Sequence, residues 1–147
     1  MQRIKINIKR VREGATLPTY GSAYAAGADL YACDGELVIP AGATVLVHTG
    51  VAMEIPCGYV GLVYARSGLA SKRGLAPANK VGVIDSDYRG EIMVALHNHG
   101  AEAQTVVQGE RVAQFVIAPC PVADFCEVEE LSDTVRGAGG FGSTGTK

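Results

Sequence analysis

Asn79-Lys-Val-Gly-Val-Ile-Asp-Ser-Asp-Tyr-Arg-Gly-Glu91 reads as an apolar strand running into a polar turn. The strand is Val81 to Ile84, and a second apolar run over 90–97 follows the turn. Together they predict a hairpin with a carboxylate, Asp85, at its shoulder and an aromatic ring, Tyr88, beside it. Asp and Gly are ordinary turn residues, so by itself the stretch is equally well explained as turn chemistry.

Working outward, the same period of two recurs along the chain. Ile4, Ile6 and Ile8 alternate with polar residues, as a half-buried strand requires. The segments 43–55, 58–65, 103–107, 111–118 and 122–129 carry Val, Ile, Tyr or Phe in short runs. Turn signals such as Asp34-Gly35, Pro56-Cys-Gly58, Asn98-His-Gly100 and Gln108-Gly109 separate them. Many short strands at this spacing predict an all-β sandwich or barrel. One short helix is expected over about 68–73, capped by Ser67 and ended by Gly74. The stretch 26–32 reads as a bulged strand with Asp29 facing solvent. With 147 residues the chain is one domain, expected over 1–135, and 136–147 holds five glycines with little that packs. That end is expected to be a mobile tail. Nineteen glycines exceed the average share of about 7%, and β-folds place them where strands bend or bulge.

Composition excludes several function classes. Thirteen Lys plus Arg against 15 Asp plus Glu give a formal charge of −2, which argues against a general nucleic-acid or membrane-surface binder. No apolar run approaches the ~18 residues of a membrane span. The charged N-terminus is no signal peptide, and Cys33, Cys57, Cys120 and Cys126 show no C-x-x-C spacing. Reduced thiols in a cytoplasmic protein are the expectation. His97 and His99 share one side of a strand, but no third ligand sits at a recognisable spacing, so they read as polar residues at a strand end. Neither a P-loop nor a nucleophile elbow occurs.

Five stretches, taken together and in order, resemble the homotrimeric dUTP pyrophosphatases (dUTPases). They are Ala26-Gly-Ala-Asp-Leu-Tyr-Ala32, Ala65-Arg-Ser-Gly-Leu-Ala70, the 79–91 segment, Gly109-Glu-Arg-Val-Ala-Gln-Phe115 and Arg136-Gly-Ala-Gly-Gly-Phe-Gly-Ser-Thr-Gly145. Asp85 through Gly90 and the glycine-rich tail are the most specific pieces. Two departures are visible: Ala65 stands where proline is usual, and Phe115 where Leu or Met is commoner.

The resemblance implies a jelly-roll-like β-sandwich that assembles as a homotrimer with active sites at subunit interfaces. The implied reaction is Mg²⁺-assisted attack of water on the α-phosphorus of dUTP, giving dUMP and pyrophosphate. It limits uracil incorporation into DNA and supplies dUMP for thymidylate synthesis. By the same resemblance Asp85 is the catalytic carboxylate that activates water, and Asp29 holds magnesium-bound waters. Ser67, at the bridging oxygen, Gly68, Arg66 and Gln114 lie near the phosphates. Val83, Ile84 and Met93 read uracil through their backbone, helped by the Asn79 amide. Tyr88 packs on the deoxyribose. In the tail, Arg136 clamps the γ-phosphate, Phe141 stacks on uracil, and Gly142 and Ser143 add donors, so that 136–147 acts as a lid. A dCTP deaminase-like relative shares the fold but typically carries Glu in the central motif, and a non-enzymatic nucleotide sensor would be expected to lack Asp85, Asp29 or the tail.

Overall fold

A computed structural model describes residues 3–140. In chain order the strands are β1 (Asn7–Arg10), β2 (Thr19–Tyr20), β3 (Ala28–Tyr31), β4 (Leu37–Ile39), β5 (Thr44–His48), β6 (Val51–Glu54) and β7 (Tyr59–Tyr64). The helix α1 (Ser67–Arg73) follows, then β8 (Leu75–Pro77), β9 (Gly82–Ile84), β10 (Met93–Asn98), β11 (Gln104–Val106) and β12 (Arg111–Pro119). A five-stranded sheet has the order β2-β3-β12-β7-β9, and the smaller sheets are β5-β10-β8, β1-β6 and β11-β4.

The period of two produces this architecture because alternate side chains leave opposite faces of a strand. In β10, Val94, Leu96 and Asn98 are buried while Met93, Ala95 and His97 are only half-buried. Leu30, Val112 and Phe115 of the large sheet share one core with Val47, Leu75, Val94 and Leu96 of the smaller one. Ile39 and Val106 extend it into the third sheet. The result is a β-sandwich, as the alternation predicts, of the jelly-roll-like kind that the resemblance implies. Asn98 is fully buried yet satisfied: its amide nitrogen donates to Ile39 O (2.9 Å) and Glu102 O (2.8 Å), and its oxygen accepts from Gly100 N–H.

Four local expectations are corrected. The helix begins at Ser67, so Ser67 is its first residue and not its cap. Arg66 takes the capping position with extended backbone, no side chain caps the helix, and Gly74 ends it in the left-handed conformation (φ 65°). The chain leaves β7 still extended and turns only after Arg66, which moves the first turn one residue back. The predicted hairpin does not pair with itself: β9 pairs with β7 (Gly61↔Ile84), whereas β10 pairs with β5 (Met93↔His48). Each arm finds its partner in a different sheet, so the polar turn between them bridges the sandwich. The bulge near Asp29 lies in β12, where the register shifts between Arg111 and Ala113, and not in β3. The run 122–129 forms no strand. Its Val122 and Phe125 side chains are almost wholly exposed because no sheet edge of this chain receives them.

Candidate active site

The separation of β9 from β10 opens a cleft of about 310 Å³. Its walls include Asn79, Gly82, Val83, Ile84, Asp85, Tyr88, Glu91 and Met93. As the outer strand of its sheet, β9 leaves the main-chain groups of one edge without a strand partner. On the other side, β8 pairs with β10 only from Leu96 to Asn98, so the edge at Met93 and Val94 is also open to the cleft. Two free backbone edges therefore border one space. Asp85 and Asn79 are exposed at its rim. The Tyr88 ring folds back over Gly90, where any Cβ would collide with its hydroxyl end, and its O–H donates to Glu91 O (3.0 Å).

A second cluster lies around Asp29. Arg66 Nε donates to Asp29 Oδ1 (2.8 Å), and Arg111 Nη1 lies 3.4 Å from Oδ2. Arg66 Nη1 also reaches Arg111 O (3.3 Å). Asp29 is thus not a free surface carboxylate, since only 13% of its side chain is exposed. Gln114 stands opposite Asp29 in the sheet and donates its amide to Ala65 O (2.8 Å). That bond fixes the backbone just before Arg66 and offsets the freedom gained by having alanine there. Ser67 and Gly68 follow at the exposed start of α1. With no cap bond to make, the Ser67 hydroxyl is free for a ligand.

These two groups of residues are not neighbours within one chain. Asp29, Gln114 and Tyr64 form one row across β3, β12 and β7, whereas Ile84 pairs with Gly61, further along β7. Three inter-strand steps and about four residues along the strand put Asp29 and Asp85 roughly 20 Å apart. The structure gathers Asn79, Val83, Ile84, Asp85, Tyr88 and Met93 in one place, and Asp29, Arg66, Ser67, Gly68 and Gln114 in another. Arg136 belongs to neither; it is exposed and donates to Gly139 O (2.8 Å). Phe141, Gly142 and Ser143 lie outside the described residues.

Sequence reasoning gave no role to Glu91, which ends the quoted stretch. Its carboxylate accepts from Arg12 Nε (2.9 Å to each oxygen), from the Gly50 N–H (2.8 Å) and pairs with His48 Nδ1 (2.9 Å). Burial alone would raise the Glu91 carboxyl above its ordinary value, but the bonds from His48, Arg12 and Gly50 together hold it below. Gly50 has φ +70°, and a Cβ there would strike Ala15 and the Cys33 sulfur, so only glycine can present its N–H at this point. These partners are remote in sequence, and no local spacing announces them. Arg111 escaped notice as well, because its link to Asp29 depends on the pairing of β12 with β3.

His97 and His99 stack edge-on at 4.4 Å, and Thr44 Oγ1 engages His97 Nδ1 (2.9 Å). Among the described residues no three His, Cys, Asp or Glu side chains converge on one point. Mg²⁺ does not need such a cluster, since it keeps several waters and binds through one or two carboxylates plus substrate phosphates. Among the described residues no helix is long and apolar enough to cross a membrane.

Comparison with known proteins adds four findings. Residues 13–145 match the model of the dUTPase family. The chain is 51% identical over 146 residues to a deoxyuridine 5'-triphosphate nucleotidohydrolase from Syntrophotalea carbinolica, covering 99% of each. Among solved structures it resembles the Staphylococcus bacteriophage 80alpha dUTPase with dUPNHPP, with a TM-score of 0.90, 28% identity and coverage of 96% of this chain and 98% of that one. It is also similar to a mutant dUTPase from phage phi11 of S. aureus described with a structural Mg(II) ion, with a TM-score of 0.79, 25% identity and coverage of 86% and 98%.

Proposed function

The chain belongs to the dUTPase family, and from that premise we propose that it hydrolyses dUTP to dUMP and pyrophosphate at a site assembled from more than one copy of itself. The observation that carries this reading is the cleft between β9 and β10. Uracil presents a donor at N3 between acceptors at O2 and O4, and the open edges at Val83, Ile84 and Met93 supply backbone partners of both kinds. Cytosine inverts the pattern at two positions and leaves buried groups unpaired, which a site of this type rejects strongly. The Asn79 amide adds a side-chain contact. Tyr88 packs on the deoxyribose, at the place a 2′-hydroxyl would need.

At the rim, Asp85 holds the attacking water and accepts its proton. The new bond forms at the α-phosphorus as the bond to the bridging oxygen breaks, and pyrophosphate leaves with that electron pair. The Ser67 hydroxyl donates to the bridging oxygen, while Arg66, Gly68 and Gln114 border the phosphate chain. Magnesium, when bound, neutralises charge on the phosphate oxygens, and Asp29 holds it through its waters. Residues 136–147 close over the nucleotide, with Arg136 on the γ-phosphate, Phe141 over uracil, and Gly142 and Ser143 as donors.

A homotrimer is supported by two features. Asp85 and Asp29 are roughly 20 Å apart in one chain, too far to serve one phosphate chain unless different copies contribute them. Val122, Phe125 and Leu131 are nearly fully exposed, as expected of side chains that another copy covers. A cytoplasmic location accords with four free cysteines.

The test is turnover of dUTP, dCTP, dTTP and UTP with Mg²⁺, reading pyrophosphate and ammonia. Pyrophosphate from dUTP alone is the expected result. Ammonia from dCTP, or no turnover of any nucleotide, would reject the reading.

A further inference from the structure

Glu91 occupies the end of the turn that carries both Asp85 and Tyr88, and none of the roles above uses it. At the start of that turn β9 is tied to β7 through the ladder that ends at Ile84. At its end the tie is ionic: the Glu91 carboxylate is gripped by Arg12, His48 and the Gly50 N–H. Next to it, Ile92 N–H donates to Val51 O (2.8 Å) and Thr49 Oγ1 to Ile92 O (2.5 Å). The main chain at 91–92 is therefore pinned to the β5–β6 turn from both sides. The same main chain carries the carbonyl that receives the Tyr88 hydroxyl. Gly90 between them, having no Cβ, leaves room for the hydroxyl end of the ring.

We propose that Glu91 is a positioning residue for sugar selection: its clamped carboxylate fixes the carbonyl that anchors Tyr88, and so fixes the ring against the sugar. The proposal rests on the reading of the cleft as a deoxyuridine site. It differs from a merely structural role because the anchor acts on one side chain. Releasing the carboxylate lets the carbonyl, and with it the ring, shift by a fraction of an ångström, and the wall that excludes a 2′-hydroxyl softens. Arg12 lies on the exposed side of the clamp and His48 on the half-buried side, so the clamp can be loosened from solvent without opening the core. His48 is itself placed by Asp34, whose carboxylate accepts its backbone N–H (2.8 Å).

The experiment compares kcat/KM for dUTP and UTP in wild type, Glu91→Gln, Tyr88→Phe and the double variant. Glu91→Gln is expected to lower the dUTP preference about tenfold, chiefly through KM, and the effect is expected to vanish in the Tyr88→Phe background. Should Glu91→Gln fail to fold, Arg12→Gln, on the exposed side, carries the test with an expected loss of about threefold. An unchanged preference in the folded variant, or the same loss with and without the Tyr88 hydroxyl, overturns the proposal. Wild-type protein that does not prefer dUTP overturns the underlying reading instead, so the two failures are told apart.

Discussion

The cleft between β9 and β10 and the cluster around Asp29 are both polar, yet they are built in opposite ways. The cleft offers unpaired backbone edges with Asp85 and Asn79 exposed at the rim. In the cluster the charges already satisfy one another, through Asp29 with Arg66 and Arg111. A base with fixed donors and acceptors needs a rigid partner whose groups are vacant before it arrives, because any prior pairing would blur the selection. A phosphate chain needs charge more than geometry, and charge can be stored as an ion pair. Hydrogen bonds to charged groups contribute about 1.5–3 kcal/mol each, and a triphosphate offers Arg66 several of them for the one it gives up at Asp29. A triphosphate can therefore draw Arg66 away from Asp29 at small cost.

If the cleft does the chemistry and the cluster only holds charge, Asp85→Asn should show the largest effect. Turnover of dUTP is expected to fall about a thousandfold with nucleotide binding kept, measured by steady-state kinetics and calorimetry. Comparable turnover in that variant would remove Asp85 from the role of base. The distance between the two regions is broken or sharpened by mixing subunits. Arg66→Ala alone is expected to lose about a hundredfold in kcat/KM. Copies of Asp85→Asn and Arg66→Ala, unfolded together and reassembled, should recover about a quarter of wild-type activity, because random assembly puts two intact contributions at one site in four. Were both residues drawn from the same chain, mixing would restore nothing.

A smaller effect addresses the rigidity of the cleft. Gly90→Ala places a methyl where the Tyr88 ring lies, and kcat/KM for dUTP should drop about tenfold with little change in thermal stability. The smallest concerns acid. The Glu91 carboxyl is held below its usual value, so its stabilising contribution is complete above the unfolded value near 4.5 and is lost as pH falls through the lower folded one. Wild type should exceed Glu91→Gln in stability by roughly 1–2 kcal/mol at neutral pH, through its charged hydrogen bonds with Arg12, His48 and Gly50. Denaturant titrations should find that gap constant down to about pH 5 and narrowing in stronger acid. A gap independent of pH would deny the carboxylate its part in the clamp.

Much of this was legible in residue order. Alternation at Ile4, Ile6 and Ile8 became alternate burial, although the strand itself begins only at Asn7, and Gly74 became the left-handed end of α1. Asn79, Val83, Ile84, Asp85, Tyr88 and Met93, named one by one in the sequence, line one cleft. Those readings succeed because alternation, turn chemistry and motif spacing act over a few residues, where the chain's own geometry decides. Ser67 as a cap and 122–129 as a strand failed for the same reason inverted: each local pattern was sound, and the neighbours it met decided otherwise.

The sequence by itself determined the all-β class and many of the turns, and it singled out the groups proposed to meet a nucleotide. Only the tertiary structure decided that β9 and β10 part company, which turns a predicted hairpin into an open cleft. It alone decided that Asp29 and Asp85 stand in separate places, and that Glu91 finds Arg12, His48 and Gly50. Those outcomes depend on which strand edges pair across long stretches of chain. Such pairing is chosen by the burial of a shared core and by register, and no short stretch contains either.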